Sequence, residues 1–286
     1  AALHEAKLRG RDRTEVFTGT LRTRAVDRLS VETGLRRALR RDELRLHYQP
    51  QVSLETGRIC GAEALIRWQH PEHGLIGPGD FIPIAEQAGL IIPIGHWVLT
   101  EGCHRLHLWQ TELPNGSELT MGINLSGRQL LNPHLIEEIG DVIDRSGIDP
   151  GRLEIEITES ILLDDVDRSI SVLERLKGLG VQLALDDFGT GYSSLTYLRS
   201  FPIDVVKIDR SFVDGIGADE GNAAIVRSIV ELSRSLGLRC IAEGVENEAD
   251  LEVLRQIGCH EVQGFLLAQP LTADDAQRLI SYDPQW

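Results

Sequence analysis

Val181-Gln182-Leu183-Ala184-Leu185-Asp186-Asp187-Phe188-Gly189-Thr190-Gly191-Tyr192-Ser193-Ser194-Leu195 runs from an apolar stretch into two adjacent carboxylates and then into a loop containing glycine. A short apolar run closed by turn residues reads as a buried strand. Buried strands exclude charge unless it is paired or bound to metal, so acids at a strand end mark a place where chemistry is held. The same unit recurs in both directions. Glu63 follows Arg58-Ile59-Cys60-Gly61-Ala62, Asn124 follows Met121-Gly122-Ile123, and Glu156 lies within Leu153-Glu154-Ile155-Glu156-Ile157. Lys207 and Asp209 follow Val205-Val206, Glu243 follows Ile241-Ala242, and Gln263 follows Val262.

Strands are expected at Leu44–Val52, Ile59–Arg67, Thr120–Leu125, Leu153–Thr158, Gln182–Asp186, Val205–Ile208, Arg239–Glu243 and Glu261–Leu267. Helical patterns stand between them, with Phe81, Ile84, Ala85 and Ala88 on one face and Ile225, Ile229, Leu232 and Leu236 on another. Thr272 and Asp275 resemble a capping box opening a last helix that buries Ala276, Leu279 and Ile280. Such alternation over about 225 residues predicts an α/β fold, a (β/α)8 TIM-like barrel whose chemistry lies at the carboxyl ends of the strands. Ser53-Leu54-Glu55-Thr56-Gly57 is too short for a crossover helix, so the first strand is expected to run antiparallel to its neighbour.

Upstream the pattern changes. Residues 19–42 read as a linker helix packing on a barrel at 43–286, with Leu35, Ala38 and Leu39 as its apolar stripe and Arg36, Arg37, Arg40 and Arg41 as a solvated basic face. A chain of 286 residues, 42% hydrophobic and 26% charged, has room for one barrel-sized core. No run approaches the roughly 18 apolar residues of a membrane span and no leader opens the chain as given, so a cytoplasmic protein is expected. Cys60, Cys103, Cys240 and Cys259 form no CxxC pair and read as reduced core residues. A net charge of −15 argues against a nucleic-acid polymer as partner. His70, His73, His104 and His107 lack acids at matching spacing and are expected to have surface or packing roles.

Several segments together are specific. Tyr48-Gln49-Pro50, Glu63-Ala64-Leu65-Ile66-Arg67-Trp68, Asn124-Leu125-Ser126 and Glu156-Ile157-Thr158-Glu159-Ser160 precede the Asp186–Leu195 stretch. Lys207-Ile208-Asp209-Arg210-Ser211-Phe212-Val213, Ala242-Glu243-Gly244-Val245-Glu246 and Gln263-Gly264-Phe265 follow it. In these segments the chain resembles the EAL family of cyclic di-GMP phosphodiesterases, over about residues 43–271. Ala6-Lys7, Gly10-Arg11 and Val16-Phe17 resemble the last helix and strand of a GGDEF diguanylate cyclase domain, without that family's catalytic signature. Residues 1–18 would then be the remnant of such a domain in a tandem GGDEF–EAL parent.

The resemblance implies hydrolysis of cyclic di-GMP to linear 5′-pGpG, by in-line attack of metal-activated water, and a homodimer formed through helices near the glycine-containing loop. Two cations about 3.5–4 Å apart can stabilise attack and departure together, and oxygen donors suit Mg2+ or Mn2+. By resemblance Glu63, Asn124, Glu156 and Asp186 hold one ion, Asp187 holds the second, and Asp209 completes the acidic wall. Lys207 would orient the attacking water and Glu243 would be the general base. Gln49, Arg67, Gln263 and Glu246 would serve substrate binding, Arg67 by pairing with phosphate, and Glu159 would anchor the loop. Singly, each group has an ordinary alternative: Asp187 as a helix cap, Lys207 as the ion-pair partner of Asp209, Asn124 as a turn residue. At the level of function the alternatives are a catalytically silent cyclic di-GMP receptor and an unrelated metal-dependent barrel enzyme.

Overall fold

The structure is a computed structural model that describes residues 19–190 and 195–286. The expected cyclase remnant and residues 191–194 of the loop lie outside the described residues. Among the described residues two compact units are present, one holding residues 19–45 with Arg67–Ile94, the other Leu46–Ile66 with Gly95–Trp286.

The larger unit carries most of the barrel. The strands are β1 (Leu44–Ser53), β2 (Ile59–His70), and, after a short β3 (Gly74–Ile76), β4 (Thr120–Asn124), β5 (Leu153–Thr158), β6 (Gln182–Phe188), β7 (Val205–Ile208), β8 (Arg239–Ala242) and β9 (Glu261–Val262). The sheet order is β1-β9-β8-β7-β6-β5-β4-β2-β3, and β1 also pairs with β2, which closes eight strands into a ring. β1 lies antiparallel to β9, while β2 and β4 to β9 run parallel. Ser53 N donates to Arg58 O across the β1–β2 turn at 3.0 Å, so the reversal needs no helix. Strands such as Val205–Ile208 are buried along their whole length, as parallel strands covered on both faces must be.

Two expectations are corrected and one unexpected strand appears. The helix Glu220–Leu236 buries Val226, Ile229, Val230 and Ser233, whereas Ile225 and Leu236 are 43% and 38% exposed. Two apolar stripes lie side by side on this helix, and the small Ser233 selects the one that approaches the strands closely. β9 is two residues long, because Gly264 is pressed against the Val245 backbone, where a β-carbon would come within 2.1 Å. Gln263 still donates to Ala242 O at 2.9 Å and accepts from Val245 N at 3.1 Å, and the pairing ends there. β3, too short to show a pattern, pairs antiparallel with Trp68–His70.

In the smaller unit the helix Gly19–Ala38 buries Leu35 and Ala38 and packs along the helix Pro78–Ala88. Arg36, Arg37, Arg40 and Arg41 are exposed, as a solvated face requires. Trp68 is buried, donates from Nε1 to Glu43 Oε2 at 3.3 Å, and covers Gly34, where an added β-carbon would stand 2.6 Å from the indole. Gly34→Ala is therefore expected to cost about 1–3 kcal/mol through overpacking. Chemical denaturation reads this directly, and an unchanged midpoint would mean that Trp68 swings aside.

No disulfide links the cysteines. Cys103, Cys240 and Cys259 are buried and Cys60 is half-buried. Burial pushes the Cys103 and Cys240 thiols up to about 12 and about 11, which removes nucleophilic character. His70 and His73 stack on each other and His104 is exposed. Thr272 closes the expected cap, accepting from Asp275 N and bonding its carboxylate.

Candidate active site

Parallel pairing sets the strand ends side by side. The register places Glu63 opposite Gly122, Asn124 opposite Glu156, and Thr158 opposite Asp186. Residues two apart on a strand share a face, so Glu154 and Glu156 point the same way at different heights. Glu156 thereby reaches the carboxyl end of the barrel.

At that end the acids close on one cation. Lys207 Nζ, fully buried, lies 2.6 Å from Glu156 Oε2, 2.7 Å from Glu243 Oε1, 3.4 Å from Glu63 Oε2 and 3.7 Å from Asp186 Oδ1. Its partners are therefore these four acids, and the ordinary alternative of a Lys207–Asp209 pair is not what is found. Amides hold Glu63 from both sides: Asn124 Nδ2 donates to Oε1 and Gln263 Nε2 to Oε2, both at 2.6 Å. Gln263 Nε2 also reaches Gln49 Oε1 at 3.1 Å, and Gln51 Nε2 donates to Gln263 Oε1 at 3.2 Å. Gln51 was not anticipated as a member of this set. Its alternation with Gln49 on one strand was the available signal.

The paired aspartates sit on a distortion. The β6–β7 register shifts between Leu185 and Phe188, and Asp187 has φ of 55°, in the left-handed region that asparagine and aspartate tolerate best. This turn lets Asp186 Oδ1 accept from Asp187 N and lets Thr190 bond the Asp187 carbonyl. Gly189 N donates to Glu159 Oε2 at 3.4 Å, which puts Glu159 at the base of the glycine-containing loop. Gly189 itself has φ of 99° and lies against the Phe212 ring.

Asp209 and Glu246 are engaged elsewhere. Asp209 caps the short helix Arg210–Val213 through Ser211 N and Ser211 Oγ. Glu246 pairs with Arg210 Nη2 at 2.8 Å, and the Arg210 stem covers Gly244. Arg67 is half-buried in the smaller unit.

Electrostatics sort the acids. Burial would raise Glu63, but Lys207 and the two amides outweigh it and lower its pKa. Burial and the neighbouring Glu63 push Glu156 well above the carboxylate range despite Lys207. Burial, with Asp186 and Glu63 nearby, lifts Glu243 to about 7 against the pull of Lys207. Burial, Asp186 and Asp209 raise Asp187.

The donor set suits a hard cation: every candidate atom is oxygen, and acids outnumber the single lysine. Glu156 Oε1 is buried without any hydrogen-bond partner, in a cradle that a β-carbon on Gly122 would fill from 2.1 Å away. As the side chains stand, no three His, Cys, Asp or Glu groups among the described residues have metal-holding spacing, because the Lys207 ammonium occupies their point of convergence. The residues fit a divalent cation in type and charge.

The EAL domain matches residues 32–270 of the chain. MucR of Pseudomonas aeruginosa, described as a bifunctional diguanylate cyclase/cyclic di-GMP phosphodiesterase, is 44% identical over 275 residues, covering 96% of this chain and 40% of MucR. NbdA of the same species, described as a cyclic di-GMP phosphodiesterase, is 42% identical over 270 residues, covering 94% of this chain and 34% of NbdA. The chain thus spans less than half the length of these curated relatives. The solved PaMucR phosphodiesterase in complex with c-di-GMP shares the fold at a TM-score of 0.82 and 44% identity, covering 86% of this chain and 99% of that one. By the extent of the domain match, and by that likeness of fold, the chain belongs to the EAL domain family.

Proposed function

We propose that this protein is a cyclic di-GMP phosphodiesterase, which opens the cyclic dinucleotide to linear 5′-pGpG with the help of two divalent ions, Mg2+ or Mn2+. The observation that carries this is the convergence of Glu63, Glu156, Asp186 and Glu243 on Lys207 at the carboxyl end of an EAL barrel. Similarity to MucR and NbdA, and the c-di-GMP complex of PaMucR, support the substrate.

Glu63, Asn124, Glu156, Asp186 and Asp187 would hold the ions, with Asp209 at the edge of the wall. Divalent ions bound there supply Lewis-acid stabilisation of phosphoryl charge and a water of lowered pKa. Glu243, held near neutrality, can take a proton on its carboxylate at physiological pH, which is what an efficient general base requires. Lys207 fixes Glu156 Oε2 and Glu243 Oε1 and places a positive charge beside the reacting centre. Gln263, which also bonds Gln49, keeps Glu63 oriented, and both amides would serve substrate binding. By family resemblance Arg67 would pair with a substrate phosphate and Glu246 would lie at the rim, where Arg210 restrains it. Glu159 ties down the loop that follows the paired aspartates. A homodimer, a cytoplasmic setting and a tandem GGDEF–EAL parent rest on family resemblance, the last supported also by MucR's bifunctional description. No helix among the described residues is long and apolar enough to cross a membrane.

The test is product analysis. Purified protein incubated with cyclic di-GMP and Mg2+ should yield the linear dinucleotide, resolved by chromatography, and excess EDTA should stop it. Binding of the dinucleotide without any linear product would identify a receptor instead.

A further inference from the structure

We propose that a cleft at the amino-terminal ends of the barrel strands is a second binding site, for a small phosphomonoester that also carries hydrogen-bond donors, the class of a nucleoside monophosphate. The open cleft has a volume of about 500 Å³, in the size range of small-molecule sites, and its charged and polar lining is Arg234, Arg239, Arg255 and His260 with the carboxylates Glu55 and Glu261. Arg239 and Glu261 open β8 and β9, whereas Glu243 and Gln263 follow the ends of the same strands. The cleft and the acidic site therefore occupy opposite ends of the barrel.

Its charges are unevenly matched. Arg239 is fully engaged, with Nη1 2.6 Å from Glu261 Oε1 and Nη2 2.7 Å from Glu154 Oε2. Arg234 donates to the Gly258 carbonyl and has no acidic partner among the described residues. Arg255 meets Glu252 only at 3.7 Å. His260 Nδ1 accepts the Cys240 N–H, so a neutral imidazole carries its hydrogen on Nε2 as a donor. Two under-compensated guanidinium forks and an N–H donor thus stand together on a chain whose net charge is −15. Planar guanidinium groups match phosphate oxygens in pairs.

A second feature points to the rest of the ligand. Glu261 is 8% exposed, and its Oε2 has no hydrogen-bond partner; Glu154, whose Oε2 meets Arg239, likewise leaves its Oε1 without one. Buried acceptors are ordinarily satisfied, so an occupant of this cleft must bring donors as well as negative charge. Hydroxyl and amino groups of a nucleoside do this while its phosphate meets Arg234 and Arg255.

Isothermal titration of the whole chain in EDTA, with AMP, GMP and inorganic phosphate as probes, tests the assignment. One of the two nucleotides should bind wild type and Glu63→Ala alike, and inorganic phosphate at least about tenfold more weakly. The double variant Arg234→Ala/Arg255→Ala should lose about tenfold or more in affinity, the scale of a charge-assisted hydrogen bond. Amide shift mapping on wild type gives a check independent of any variant: the nucleotide should move Cys259 and His260 and leave Asn124 in place. The proposal fails if millimolar nucleotide gives no heat, if the double variant binds unchanged, if Glu63→Ala abolishes binding, if shifts centre on Asn124, or if phosphate binds as tightly as the nucleotides.

Discussion

Lys207→Met should lower the stability of the EDTA-treated protein by about 3–5 kcal/mol, the cost of leaving buried charge uncompensated. The ammonium is fully buried, with Glu156 and Glu243 in hydrogen-bond contact and Glu63 and Asp186 just beyond. Methionine has nearly the same length and packs similarly, so the loss isolates the charge instead of a cavity. Without the lysine, four carboxylates face one another in a setting that already raises Glu156 and Glu243. Urea unfolding at pH 7.5 reads the difference. Added Mg2+ should restore part of it, because a cation then takes over the neutralising role. Turnover should fall to background in either case, since nothing would hold Glu243 Oε1. Stability equal to wild type in EDTA would show that the acids take up protons at no net cost, and would remove Lys207 from the centre of the site.

Glu243→Gln should reduce kcat by about 10²–10⁴-fold, the usual contribution of a positioned general base, with little change in KM. Glutamine keeps the shape and can still accept from Lys207, so what is lost is proton uptake. The wild-type carboxylate sits at about 7, above its ordinary value. A raised carboxylate is the stronger proton binder in the folded state, so between its unfolded value and pH 7 the metal-free fold becomes less stable as pH rises. Activity runs the other way, because the base must be deprotonated: kcat should climb with pH and then level, in a limb that bound divalent ions shift below pH 7 by favouring the carboxylate. In Glu243→Gln that limb should vanish from the pH profile. If it persists in the residual activity, the titrating group is another acid of the set.

The sequence marks the acids well because a carboxylate in a buried strand carries its own anomaly. Asp186-Asp187, Glu63 and Glu156 are visible for that reason, and the short Ser53–Gly57 link shows the reversed first strand by length alone. Helix phase was less legible. Ile225 and Leu236 belong to a stripe as apolar as the buried one, and periodicity cannot choose between neighbouring stripes on a helix flanked by both. The end of β9 was hidden for a different reason: the glycine that bends the chain does so against Val245, a contact from a different loop.

Local patterning alone determined the alternation of strands and helices, the barrel, the polar strand ends and the family, since each depends on residues close together in the chain. Tertiary structure decided the partnerships. Lys207 and Glu156 are 51 positions apart, Gln263 and Glu63 200, yet both pairs meet at 2.6 Å. Only closure of the ring brings such groups together, and low dielectric in the buried end then sets which acid stays charged and which is held near neutrality.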